Sequence, residues 1–260
     1  MINPVLAGGL VALATFAGIL AALWLGRRIG KGVLARHGSI GHQGVTSLET
    51  AVFALLGLMI AFTFSGALNR FDGRRAQAVD EANAMGTAWL RIDLLPSAAQ
   101  PKLRESFKSY VDARIATYKK LPDLKAARAE VARSNELQSV IWAQAVTALR
   151  SPQVRPGTDL LVLPALNAMF DISSVRLAAT QIHPPLAIYF MLIGLALASA
   201  LLGGYQTAAE KAYDWVHQVG FALIVAFTVY VILDIEYPRM GFIRIDAIDR
   251  LLVDVRAGMK

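Results

Sequence analysis

The sequence contains no cysteine, which excludes disulfide scaffolds, thiolate metal sites, iron–sulfur clusters and cysteine nucleophiles. Charge is scarce as well. Asp, Glu, Lys and Arg supply 17% of the 260 residues, whereas a soluble domain carries roughly 25%. Too little polar side chain is present to clothe a globule in water. Acidic groups are the rarer kind, 19 against 26 basic, for a net charge of +7. The basic residues are scattered and flank apolar runs. That placement suits a membrane surface, whereas a nucleic-acid groove wants a clustered stripe, so no nucleic-acid partner is expected.

Motifs that carry chemistry are missing too. There is no Gly-rich nucleotide loop, no serine nucleophile elbow and no His–Glu metal helix. His37 and His42 lie five apart and read as solvated connector histidines rather than metal ligands. No catalytic residue, cofactor or metal is expected, and an enzyme is disfavoured.

What is present is apolar length. Hydrophobic residues make up 55% of the chain, and they fall in blocks. Pro4 to Gly26, Thr50 to Asn69, Pro184 to Ala209 and Val216 to Leu233 carry no charge. At about 1.5 Å per residue the shortest covers roughly 27 Å, close to a hydrocarbon core of about 30 Å. Four spans are expected, near 4–26, 50–69, 184–206 and 216–235. The first lacks a basic n-region and outruns a signal h-region, so it reads as a retained anchor.

Four parts follow. Residues 1–69 form a transmembrane hairpin, 70–183 a soluble helical segment, 184–236 a second hairpin and 237–260 a C-terminal amphipathic helix. Residues 27–48 read as a Gly-rich basic connector. In the soluble segment Val79, Ala82, Gly86, Trp89 and Ile92 keep helical spacing up to Leu95–Pro96. Ser97 is placed to cap a helix with the stripe Leu103, Phe107, Val111, Ile115 and Tyr118. Pro122–Asp123 restarts the chain, and Ala127, Val131, Ile141 and Ala145 follow. The stretch 151–157 breaks it, and a last helix runs from about Thr158 to Gln181. Beyond the fourth span Pro238 and Gly241 break the helix, and Ile245, Ile248, Leu252 and Val255 line one face of a short one.

Charge bears on orientation from both sides. Arg27, Arg28, Lys31 and Arg36 favour a cytoplasmic connector, joined only by Lys211. Arg70, Arg74, Arg75, Arg176, Arg239, Arg244 and Arg250 favour a cytoplasmic helical segment, seven against five. The spans hold almost no ionisable group near their midpoints, which argues against ion-coupled transport.

The second span is graded along its length. Its run FALLGLMIAFTFSGALNRFDGRR passes from apolar through Thr63, Ser65 and Asn69 to basic. Several copies around an axis would present Ala54, Leu58, Phe62 and Ser65 as an apolar neck. Arg70, Arg74 and Arg75 would ring the vestibule beyond it. Such necks control permeation by dewetting. For a lone helix, packing of Leu58 and Phe62 against neighbouring spans is the plainer reading. Two functions are therefore carried: an oligomeric ion channel, and a non-conducting sensor or assembly module whose helical segment binds a partner.

The segment AVFALLGLMIAFTFSGALNRFDGRRAQAVDEANAMGTAWLRIDLLP resembles the second-helix region of the bacterial bestrophin-like membrane proteins, named for distant similarity to bestrophin chloride channels. The matching positions are Phe62, Thr63, Phe64–Ser65, Arg70–Phe71 and Arg75. Arg176 through His183–Pro184–Pro185 is similar to the approach to the family's third helix. Asp234 to Pro238, with Gly241 and Asp246, is similar to the acidic–Pro–Gly turn after the fourth. Phe71–Asp72 stands where bestrophins have tandem Trp, and Thr63 where they have Arg. Of the acidic run that forms a calcium clasp in animal bestrophins only Asp234, Glu236 and Asp246 remain. These read instead as helix-terminating groups that pair with Arg70, Arg74 or Arg239. The resemblance implies an all-α membrane protein with four spans, a large helical insert between spans two and three, and both termini cytoplasmic. It implies partners too: the lipid bilayer, small inorganic ions and further copies of the chain in a homo-oligomer, a pentamer in the family. The expected location is the bacterial cytoplasmic (inner) membrane.

Overall fold

The computed structural model describes residues 4–37, 42–210, 214–238 and 241–260. Among them there are helices and turns and no strand. In chain order the helices are α1 (Pro4–His37), α2 (His42–Arg91), α3 (Gln100–Lys119), α4 (Leu124–Leu149), α5 (Asp159–Ala179), α6 (Leu186–Gln206), α7 (Trp215–Glu236) and α8 (Asp246–Gly258). The chain forms two compact units. One comprises Met1–Phe71 and His183–Phe242, the other Asp72–Ile182 and Ile243–Lys260.

In the first unit α1 packs on α6 and α7. Thr15, Ile19, Leu23, Gly26 and Gly30 recur every three or four residues and form its buried stripe. A Cβ on Gly26 would lie 1.9 Å from the Leu201 carbonyl oxygen, and one on Gly204 would lie 2.1 Å from that of Leu23. The two backbones touch, a contact that only glycine permits and that lipid-embedded helices use in place of a hydrophobic drive. This corrects the reading of 27–48 as a Gly-rich basic connector, of which 38–41 lie outside the described residues. Residues 27–37 continue α1 as helix, because Gly26 and Gly30 serve as its packing face toward α6. Arg27 follows the same face: it is buried and donates from Nη2 to the Glu210 carbonyl at 3.1 Å.

The second unit is a helical array. Met85, Trp89, Ile92, Leu103, Phe107, Tyr110, Ile141, Leu166 and Met169 meet in one core. Asp123 caps α4, accepting from the backbone N–H groups of Lys125 and Ala126 at 3.0 Å each. Ser97 does not cap α3. Its first turn is preceded by Ala99 with no side-chain cap, and Pro101 sits in that turn, where its missing N–H costs nothing.

The protein is an all-α membrane protein with a large helical insert. Among the described residues, five helices are long and apolar enough to cross a bilayer. Four correspond to the expected spans, and the fifth is α5. Its inner face, Val162, Ala165, Leu166 and Met169, lies in the core of the insert. Part of its apolarity thus serves packing within the insert.

Candidate functional site

Helical geometry turns each residue by about 100°, so Ala54, Leu58, Phe62 and Ser65 share one narrow face of α2. Leu56, Thr63 and Ala67 fall on the opposite face. The structure separates the two. Leu56, Thr63 and Ala67 are buried, whereas Ala54 and Ser65 are exposed, Leu58 is 50% exposed and Phe62 67% exposed. Thr63 turns its hydroxyl to the Met59 carbonyl at 2.6 Å, which removes a polar group from the packed face. Phe53 meets Phe221 of α7 edge-on with ring centroids 5.7 Å apart. The exposed arc is wider than the expected stripe, since Leu55, Phe64 and Leu68 lie in it as well.

The three arginines grouped at the end of this stripe have three different environments. Arg70 grips Glu236 at the end of α7: Nε donates to both carboxylate oxygens at 3.1 and 2.9 Å, and Nη2 donates at 2.7 Å. Arg74 is buried and turned to backbone, donating to the carbonyls of Ala179 and Ile182, each at 3.1 Å. It thereby covers one carbonyl in the last turn of α5, which the helix leaves without a partner, and one in the segment that follows. Arg75 is half exposed and lies 3.2 Å from Asp72.

The turn after α7 is built around its two carboxylates. Glu236 is fully buried and takes a second partner, His183 Nδ1 at 3.0 Å. The His183 ring lies 4.6 Å from that of Tyr237, tilted by 30°. Asp234 accepts the Phe242 backbone N–H at 3.0 Å. A Cβ on Gly241 would sit 1.4 Å from Asp234 Oδ1, so that close approach requires glycine. Pro238 is buried. Arg239 lies outside the described residues, and so does the side chain of Asp246. Among the described residues no three His, Asp or Glu side chains gather as a metal site needs.

The insert holds a second charged cluster, which the sequence reading did not find. Glu81, fully buried, accepts Arg114 Nε at 2.7 Å on one oxygen and Arg176 Nη1 on the other. Arg114 also donates to the Tyr118 hydroxyl at 2.6 Å, and Arg176 to Asp249 of α8. The Tyr118 ring stacks under Arg176, 3.9 Å from guanidinium carbon to centroid. Burial works against the charge on Arg114, yet Tyr118 and Glu81 outweigh it and hold its pKa above the ordinary value. No sequence signal points to this cluster: Arg114 stands two residues after Asp112, and Arg176 is a single charge in the last turn of α5.

The family model of the bestrophin-like domain matches residues 13–248. Solved structures of variants of a bacterial bestrophin homologue from Klebsiella pneumoniae share the fold. One matches over 92% of this chain and 98% of its own at 12% identity, with a TM-score of 0.67. A second matches over 95% and 98% at 12% identity with a TM-score of 0.65. A third matches over 92% and 99% at 16% identity with a TM-score of 0.53. No curated protein matches by sequence.

Proposed function

The chain belongs to the bestrophin-like family, and we propose that it is a homo-oligomeric ion channel of the bacterial cytoplasmic membrane. Several copies, five as the family resemblance implies, set their α2 helices around a shared axis, and small inorganic ions pass between them. The observation that carries this reading is the stripe Ala54, Leu58, Phe62 and Ser65, which is exposed among the described residues. Phenylalanine and leucine rings of side chains around an axis make a neck that empties of water and refills as it widens. The flanks of α2, Leu55, Phe64 and Leu68, are exposed too and meet neighbouring copies. Arg75 is the vestibule charge nearest to water, while Arg70 and Arg74 hold the frame on which it stands.

The test is ion flux from liposomes holding the purified full chain. Leu58→Ala and Phe62→Ala widen the neck and are expected to raise flux above the unsubstituted protein. An assembly that reconstitutes intact but passes no ion, before or after either substitution, overturns the reading in favour of a non-conducting assembly module.

A further inference from the structure

Within the insert, α3, α8 and the turns beside them line an open cavity of about 300 Å³. Ile115, Leu121, Leu252 and Val253 give it an apolar wall, and Lys119, Arg244 and Arg250 give it a basic rim. A second hollow on the same helix differs in one respect. There Arg256 clamps Asp112 at 2.8 and 3.0 Å, and Arg104 pairs with Asp93 while lying 4.4 Å over the Trp89 ring. Two of its three cations are thus neutralised by neighbours, Lys108 being the third. In the α3–α8 cavity the carboxylate, Asp249, is already paired with the buried Arg176. Lys119 and Arg250 have no ion-pair partner among the described residues. The charges of Lys119 and Arg250 thus stand beside a partly apolar concave surface, while Arg244 has a partner of its own.

Such a surface fits an anion carried on a small apolar body. Its size lies at the lower end of ligand cavities, which run from about 300 to 1,000 Å³. We propose that the α3–α8 cavity binds a small organic phosphate. Lys119 and Arg250 take the phosphoryl oxygens through charge-assisted hydrogen bonds, and Leu121 and Val253 cover the organic group. This site is independent of the channel reading, since it lies in one copy's insert.

The test is calorimetric titration of the full chain in nonionic detergent with phenyl phosphate. Binding is expected, with inorganic phosphate and phenol each weaker by about tenfold or more, the factor that corresponds to one contact of about 1.4 kcal/mol. Lys119→Ala and Arg250→Ala, both at exposed positions, each weaken binding, whereas Arg128→Ala on α4 leaves it unchanged. Dihexanoyl phosphatidic acid separates the sources. Tighter binding than phenyl phosphate assigns the site to a lipid head group, and weaker binding assigns it to a free organic phosphate. Absence of binding by both probes, retention in the Lys119→Ala/Arg250→Ala double variant, or inorganic phosphate matching phenyl phosphate would overturn the proposal.

Discussion

Glu236 and Glu81 are equally buried and differently kept. Glu236, at the end of the last span, is held by Arg70 and His183, whose side chains are 27% and 28% exposed. Glu81, in the insert, is held by Arg114 and Arg176, at 2% and 4%. Burial of the carboxylate alone therefore says little. What separates the sites is whether the counter-charges reach water. A cation that touches solvent keeps part of its hydration when its partner is removed. A cation sealed beside its partner keeps none, and its desolvation then stands uncompensated.

The sharpest way to break this comparison is Glu81→Gln. The amide fits the same space but leaves Arg114 and Arg176 charged and buried, with Tyr118 and Asp249 as their remaining partners. Removing one member of a sealed pair costs about 3–5 kcal/mol. Thermal unfolding of the full chain in detergent is expected to show a large drop in midpoint, or no folded protein at all. A variant as stable as the parent would show that the insert cluster is not a closed one.

Glu236→Gln comes next. Arg70 and His183 both keep access to water, so the loss is that of charge-assisted hydrogen bonds, about 2 kcal/mol. The same unfolding measurement reads it. A loss equal to that of Glu81→Gln would erase the distinction drawn from partner exposure.

The first of these two sites was partly legible in the sequence, and the second was not. Four charge-free blocks identify the spans because lipid demands length and forbids charge, and those two demands leave a linear trace. The turn of Asp234, Glu236, Pro238 and Gly241 is local, so its acidic pair and helix breakers sit together in the chain. Pairing of Glu236 with Arg70 across 166 positions was within reach, since each residue ends a span. Glu81, Arg114, Arg176 and Asp249 come from four separate helices. Each looks like an ordinary solvated position in its own helical period, and only packing brings them together. The helical course of 27–37 was hidden for a related reason. Glycine and arginine read as loop, yet Gly26 and Gly30 are there for the α6 backbone. That Ala54, Leu58, Phe62 and Ser65 share a side of α2 follows from helical geometry alone. What surrounds that face is a property of the assembly.

The smallest effect sharpens the comparison by testing how dry the insert is beside Glu81. Tyr110 is fully buried, edge-on to Phe107 and Phe170 at centroid distances of 6.4 and 6.0 Å. Gln138 donates to its hydroxyl at 3.4 Å and to Ser173 at 3.1 Å. Burial pushes the phenol pKa up, against the opposing pull of Arg114. A folded-state pKa above the unfolded one favours the protonated form. Its contribution is therefore complete below the unfolded value of about 10 and is lost as pH rises through the folded value. Tyr110→Phe cannot ionise. Near neutrality it should cost no more than about 1 kcal/mol, because Gln138 keeps Ser173 as partner. Above pH 10 the parent loses stability that the variant does not, so the gap between them should close and then reverse. Denaturation midpoints of both proteins at pH 7.5 and 10.5 measure it, and lysines titrate alike in each, so their effect cancels. A gap that stays constant across that range would mean that water reaches Tyr110, and the contrast between a sealed insert and an open span end would lose its basis.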